Sequence, residues 1–139
     1  MSFVPVRHVK AFNKYGAKKV WVCAICEVYT RSEKPLRDDR CPTCSDGNWL
    51  RFDSRREHKY WTDFRQLERR GDIRNLTLQP KFPIVINGEK VCSYIADFSF
   101  FEGNRRRVLD VKGVMTPMFK LKRKLVTAVY PGVEIEVVK

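Results

Sequence analysis

Apolar residues return at helical intervals after Glu57, at Tyr60, Trp61, Phe64 and Leu67, and form one stripe along a helix face. Ser54 supplies an N-cap, Glu57 completes the Ser-x-x-Glu pattern, and Gly71 is a C′ stop, so a helix is predicted over 54–70. The period then changes to two. "LQPKFPIVINGEKVCSYIADF" reads as strands with Asn87-Gly88 as a hairpin turn, and "SYIADFSFFEGNRRRVLDVKG" as a hairpin turning on Gly103-Asn104. Thr116 and Pro117 open a second helix that Pro131-Gly132 closes, and "VEIEVV" follows as an alternating strand. The order is helix, three strands, helix, strand, which predicts an α/β fold with a central sheet packed against helices.

Two carboxylates stand where the hairpin pattern asks for valine or threonine. With the turn at Gly103-Asn104, Glu102 faces Arg105, and the same register sets Asp97 directly opposite Asp110. Their Cβ atoms are then expected about 4.5–5.5 Å apart on one sheet face. Lys112, two residues further on, shares that face. Like charges so placed repel, unless a divalent cation lies between them; Mg²⁺ is usually held by one or two carboxylates with phosphate and water. Glu57, in the middle of an apolar stripe, is expected to face the core or a cleft. As part of a capping box its carboxylate would merely return to the N-cap amide, and one residue serving both roles in part stays open. His58, about 100° round the helix from Glu57, is expected at the helix surface, and neither it nor His8 is taken as a general base.

Ahead of the first helix the pattern gives way to cysteine pairs, "CAIC" (Cys23, Cys26) and "CPTC" (Cys41, Cys44). Each C-x-x-C knuckle brings two thiolates to one side of a tight turn, and two knuckles complete a tetrahedral site. Zn²⁺ suits it, and four closed thiolate ligands leave no position for water, so this zinc is expected to be structural. A disulfide framework would need an oxidising compartment, and a redox pair would not need a second copy. A ribbon over 21–50 is too short to bury a core unaided, so metal binding is expected to be part of its folding energy. Cys92, in a predicted strand, reads as a small buried side chain.

Charge adds a partner. Of 139 residues, 28 are Lys or Arg and 16 are Asp or Glu, a formal net charge of +12 that four thiolates and one dication would lower only slightly. A chain so basic is driven towards polyanions, of which DNA or RNA phosphate is the commonest. The hydrophobic share of 43% is enough for a real core. No stretch approaches a membrane span and "MSFVPVRHVK" lacks the apolar run of a signal peptide, so a cytoplasmic protein with no membrane partner is expected. Lys14, Lys18 and Lys19 lie in a basic lead-in with Phe12 and Tyr15, which fits a phosphate backbone and a solvated arm equally well. The tract Lys120, Lys122, Arg123 and Lys124 on the second helix is a further candidate for DNA contact.

"YIADF" followed by "VLDVKG" resembles the D…(D/E)-x-K core of the PD-(D/E)XK nuclease superfamily, and "FDSRREHKYW" looks like its glutamate-bearing first helix. Within that superfamily, "KYGAKKV", "FDSRREHKYW", "LQPKF", "YIADF" and "DVKG" are together most similar to a small phage-borne nuclease family, itself similar to endonuclease I-type Holliday junction resolvases. The resemblance covers 14–20 and 51–139; in family members a short turn joins the first strand to "FDS", where this chain carries the ribbon. It implies a restriction-endonuclease-like αβββαβ core over 51–139, preceded by a basic arm and first strand over 1–20 and the inserted zinc ribbon over 21–50. It further implies a Mg²⁺- or Mn²⁺-dependent endodeoxyribonuclease leaving 5′-phosphate and 3′-hydroxyl ends. Asp97 and Asp110 would be metal ligands, Glu57 would complete the site directly or through water, and Lys112 would hold and polarise the attacking water. Gln79, before Pro80, points into that site or is a backbone-bonding edge residue, and both readings stand. Branched DNA is the substrate the resemblance favours, cut by a homodimer because a resolvase must cut two symmetric strands. It also implies a phage-encoded protein acting in the host cytoplasm. The alternatives are a nicking or repair nuclease on ordinary duplex, and a catalytically silent zinc-ribbon DNA-binding protein.

Overall fold

The computed structural model describes residues 18–112 and 114–139. The chain divides into two compact units, Met1–His58 and Lys59–Lys139, described here in turn. Lys14, His8 and the rest of the basic arm up to residue 17 lie outside the described residues.

In the first unit, β1 (Val20–Cys23) is the central strand of a three-stranded antiparallel sheet, flanked by β2 (Thr30–Arg31) and β3 (Trp49–Phe52). The ribbon therefore begins at Val20 and runs to Phe52, and β1 pairs with ribbon strands rather than opening a separate sheet. Val20, Val22 and Phe52 are buried, a small apolar set that leaves the unit dependent on additional cross-links. Arg31 and Asp39 form one at 2.8 Å, and the Trp49 indole N–H donates to the Asp39 carbonyl at 3.3 Å.

Helix α1 (Arg55–Arg70) starts in the first unit and continues into the second. Its end is closed as the sequence predicts: Gly71 has φ +82°, and the Asp72 N–H donates to the Leu67 carbonyl. Four strands, β4 (Arg74–Leu78), β5 (Lys81–Ile86), β6 (Glu89–Ile95) and β7 (Phe98–Glu102), precede β8 (Arg105–Val111). Helix α2 (Pro117–Val129) follows, with the Thr116 hydroxyl accepting from the Phe119 N–H, and then β9 (Ile135–Val138).

The main sheet has the order β4-β7-β8-β9, antiparallel except for the β8–β9 pair, whose parallel alignment is made by the α2 crossover. Strands β5 and β6 form a separate two-stranded sheet. Here the structure corrects the expected hairpin arm. The run from Ser93 to Glu102 is not one strand: Ala96 and Asp97 belong to neither β6 nor β7. The pairing register of β5 with β6 nevertheless continues through the break into that of β4 with β7, so 74–102 is one long hairpin, bent in the middle. At the bend the Gln79 N–H donates to the Asp97 carbonyl and the Ala96 N–H to the Pro80 carbonyl. Gln79 itself takes a left-handed φ of +53°.

Alternation along β8 sends Val108 and Asp110 to one face of the main sheet and Leu109 to the other. On the Leu109 face, Phe64 and Leu67 of α1 pack with Ile73, Phe100 and Val138. The Val108 face carries the larger core: Phe82 and Ile84 of β5, Tyr94 of β6, Phe119 and Val126 of α2, and Ile135. Cys92, expected to be buried, is partly buried at the rim of this core.

Candidate functional site

The four cysteines of the first unit come together, with their sulfurs all within 4.8 Å of one another. Cys23 Sγ lies 3.4 Å from Cys44 Sγ, and Cys26 Sγ 3.6 Å from Cys41 Sγ. A tetrahedral zinc with bonds of about 2.3 Å sets its sulfurs about 3.8 Å apart, so the cluster is compatible with zinc. The two knuckles share one construction. Four residues after its first cysteine, each turns into the left-handed region, at Glu27 (φ 56°) and Ser45 (φ 62°), and returns that N–H to the first cysteine's carbonyl. Neither residue is glycine, so each knuckle holds about 1 kcal/mol of backbone strain that a bound metal would offset. Backbone amides of Tyr29 and Val28 lower the Cys26 pKa. Burial works against ionisation of Cys41, yet amides of Cys44 and Thr43 and the neighbouring thiols bring it to about 6. Four thiols at this spacing cannot all ionise without a cation among them.

In the second unit, Asp97 and Asp110 meet β8 from two directions. Asp110 points into the Val108 face and is 1% exposed, the one buried charge among the described residues. The Tyr94 hydroxyl donates to its Oδ2. Lys112 Nζ lies 3.0 Å from Oδ1, and its side chain retains 34% exposure, so the cation reaches solvent where the carboxylate does not. Oδ1 is buried and accepts no aligned hydrogen bond; Lys112 supplies charge but not alignment. Asp97, at the bend, departs from the expected ladder. Its N–H donates to the Leu109 carbonyl, while its Oδ2 reaches along β8 to accept from the Val111 N–H at 2.6 Å. Burial, then the Asp110 carboxylate and Asp97 beyond it, push the Tyr94 pKa far above the ordinary tyrosine range, against an opposite pull from Arg123.

A divalent cation suits these donors. Two carboxylates, one ending in an unbonded buried oxygen, are a set that Mg²⁺ can use with phosphate and water completing its shell. Among the described residues, the cysteines are the one group of three or more side chains that could hold a metal ion.

Residues 45–139 match the family model described as protein of unknown function (DUF1064). The chain belongs to the DUF1064 family. Asp97, Asp110 and Lys112 fall inside the matched DUF1064 segment, and all four cysteines precede it. Comparisons with curated proteins and with solved structures find no match.

The other predicted residues are placed as follows. Glu57 lies in the first unit, where it closes the capping box: Oε2 accepts from the Asp53 N–H at 3.0 Å, Oε1 from the Ser54 hydroxyl at 3.2 Å, and its own N–H donates to Ser54 Oγ. His58 is not a surface residue as expected. It is half-buried with its ring 5.3 Å from that of Phe52, and burial lowers its pKa. The Gln79 N–H donates to the Asp97 carbonyl at the bend. Of the helical basic tract, Lys120 and Lys124 are exposed, Lys122 donates to the Ser93 carbonyl at 3.1 Å, and Arg123 is half-buried. Lys18 is exposed and Lys19 half-buried. No helix among the described residues is long and apolar enough to cross a membrane.

Sequence reasoning missed Tyr94. A buried tyrosine hydroxyl needs a polar partner, and that need was the one signal for it in the sequence.

Proposed function

We propose that the chain is a metal-dependent DNA endonuclease with a restriction-endonuclease-like core in its DUF1064 segment. The observation that carries the reading is Asp110: a buried carboxylate whose Oδ1 has the Lys112 ammonium at 3.0 Å out of hydrogen-bond alignment, on a strand whose Val111 N–H is bonded by Asp97. Burying a charge in an apolar core is costly even when it is paired, and Asp110 keeps Lys112 and Tyr94 against it. The order of elements around it, α1, the bent hairpin of β4 to β7 with Asp97 at its bend, β8 with Asp110, then α2 and β9, fits an αβββαβ core if each bent arm of the hairpin is taken as one strand.

In this reading Asp110 Oδ1 and the Asp97 carboxylate hold the cation. When bound, Mg²⁺ or Mn²⁺ would neutralise the phosphoryl oxygens and acidify water. Lys112 reaches solvent beside Oδ1, and its ammonium would orient the attacking water and accompany the phosphate charge. Glu57 enters as a third ligand through the resemblance alone. The net charge of +12 and the exposed Lys120 and Lys124 supply attraction to the backbone. Branched DNA and a homodimer complete the proposal, with the four-cysteine ribbon as a structural zinc site.

The test is nicking of supercoiled plasmid and of a four-way junction with Mg²⁺. Wild type cleaves, leaving 5′-phosphate ends, and Asp110→Asn cleaves slower by about 10³-fold. A linear duplex cut as fast as the junction would remove the resolvase version and leave the nicking nuclease. The silent DNA-binding reading has one observation in its favour: the described contacts of Asp110 and Asp97 are already made within the protein, by Tyr94, Lys112 and the Val111 amide. DNA binding without cleavage by wild type would establish it.

A further inference from the structure

Asp110 has two oxygens with opposite surroundings. Oδ2 is held by the hydroxyl of Tyr94, which is 4% exposed. Oδ1 has only the ammonium of Lys112, at 3.0 Å and out of hydrogen-bond alignment. We infer that Tyr94 is the positioning residue of this site: it pins Oδ2, so that Oδ1 alone is presented to a divalent cation, and Lys112 and that cation compete for this one oxygen. The inference rests on the metal-dependent reading above and adds two things to it: a role for a residue outside the nuclease motif, and an order of events. In the metal-free protein Lys112 neutralises Asp110. A hard dication at Oδ1 repels the ammonium, which is then displaced towards the solvent side, where the phosphate would lie.

Geometry supports the pairing. Tyr94 is fixed at both ends, its ring against Phe119 and Phe82 with centroids 6.2 and 6.4 Å away and its hydroxyl on Asp110. The Phe119 ring also lies under Lys112, 5.2 Å from Nζ, so the amine has an apolar shelf along which to move. Groups that support a metal ligand from behind commonly change metal affinity by about 10–100-fold when removed.

The test is calorimetric titration of the zinc-loaded full chain with Mn²⁺, with no DNA present. Tyr94→Phe keeps the ring packing and is expected to bind Mn²⁺ about 10-fold more weakly. Lys112→Met removes the competitor and is expected to bind about 10-fold more tightly, although the same variant should lose cleavage. A Tyr94 that merely supports the fold would lower thermal stability and leave the Mn²⁺ affinity unchanged, and that result overturns the inference. So does a Lys112→Met affinity equal to or below wild type, a result that remains decisive even where Tyr94→Phe folds poorly. Wild type that takes up no Mn²⁺ sinks the metal-dependent reading itself, an outcome distinct from either.

Discussion

The four cysteines of the first unit and the two aspartates of the second are both clusters of anionic ligands, and they are stabilised by different means. The sulfurs crowd within 4.8 Å of one another, and backbone amides, not a protein cation, favour ionisation of Cys26 and Cys41. Their compensation must come from outside. Asp110 instead receives its counter-charge from Lys112 and its hydrogen bond from Tyr94, both in its own unit. The cysteines have no protein cation among them, whereas Asp110 already has one. That difference separates a structural centre from a candidate working centre more clearly than ligand identity does.

The largest effect expected follows from removing the outside charge. Elemental analysis should find one zinc per chain, and a strong chelator should unfold the first unit, since such sites contribute on the order of 10 kcal/mol to folding. Hydrogen exchange would show amides of β1 and β3 losing protection. Protected amides in a zinc-free sample would erase the contrast between the two units.

An internally compensated pair on the other face of the main sheet gives a smaller effect. Arg107 donates to Glu136 through Nε at 2.9 Å and Nη2 at 2.6 Å, and also to Glu102. The bond from Arg107, opposed by burial, holds the Glu136 pKa below the ordinary 4.5. A depressed folded-state pKa contributes stability above the unfolded value and loses it as pH falls through the folded one. Glu136→Gln should therefore cost about 1 kcal/mol near neutrality, after screening by solvent. Equilibrium unfolding should show the difference shrinking below about pH 4, the unfolded glutamate range. A gap that persists at lower pH would point to packing rather than charge.

Much of this was legible locally. C-x-x-C spacing gave the sulfur cluster without knowledge of the fold, because both ligands of a knuckle lie in one turn. Thr116-Pro117, Gly71 and the turns at Asn87-Gly88 and Gly103-Asn104 marked their elements, because caps and tight turns are decided by one or two residues. The aspartates were half legible. The hairpin register holds from Glu102–Arg105 to Phe98–Leu109, but Asp97 lies one step beyond it, at a bend. Nothing in "SYIADFSFFE" announces that bend, since apolar alternation runs through it and the break is made opposite, at Gln79-Pro80. Tyr94–Asp110 and Arg107–Glu136 depend on how separate strands stack, which no local pattern encodes.

The smallest effect on stability belongs to Glu57→Gln. Glutamine can also close a capping box, so thermal unfolding should move by no more than about 0.5 kcal/mol. Cleavage should nevertheless fall if Glu57 serves the metal, and unchanged cleavage leaves it as a cap alone.

Anomalous scattering from crystals of the zinc-loaded chain soaked in Mn²⁺ tests the central claim most directly. The account predicts, besides the zinc signal among Cys23, Cys26, Cys41 and Cys44, a manganese peak within bonding distance of Asp110 Oδ1 and the Asp97 carboxylate, with Lys112 displaced from that oxygen. Manganese absent there, with Lys112 still against Asp110 at saturating metal, would contradict it.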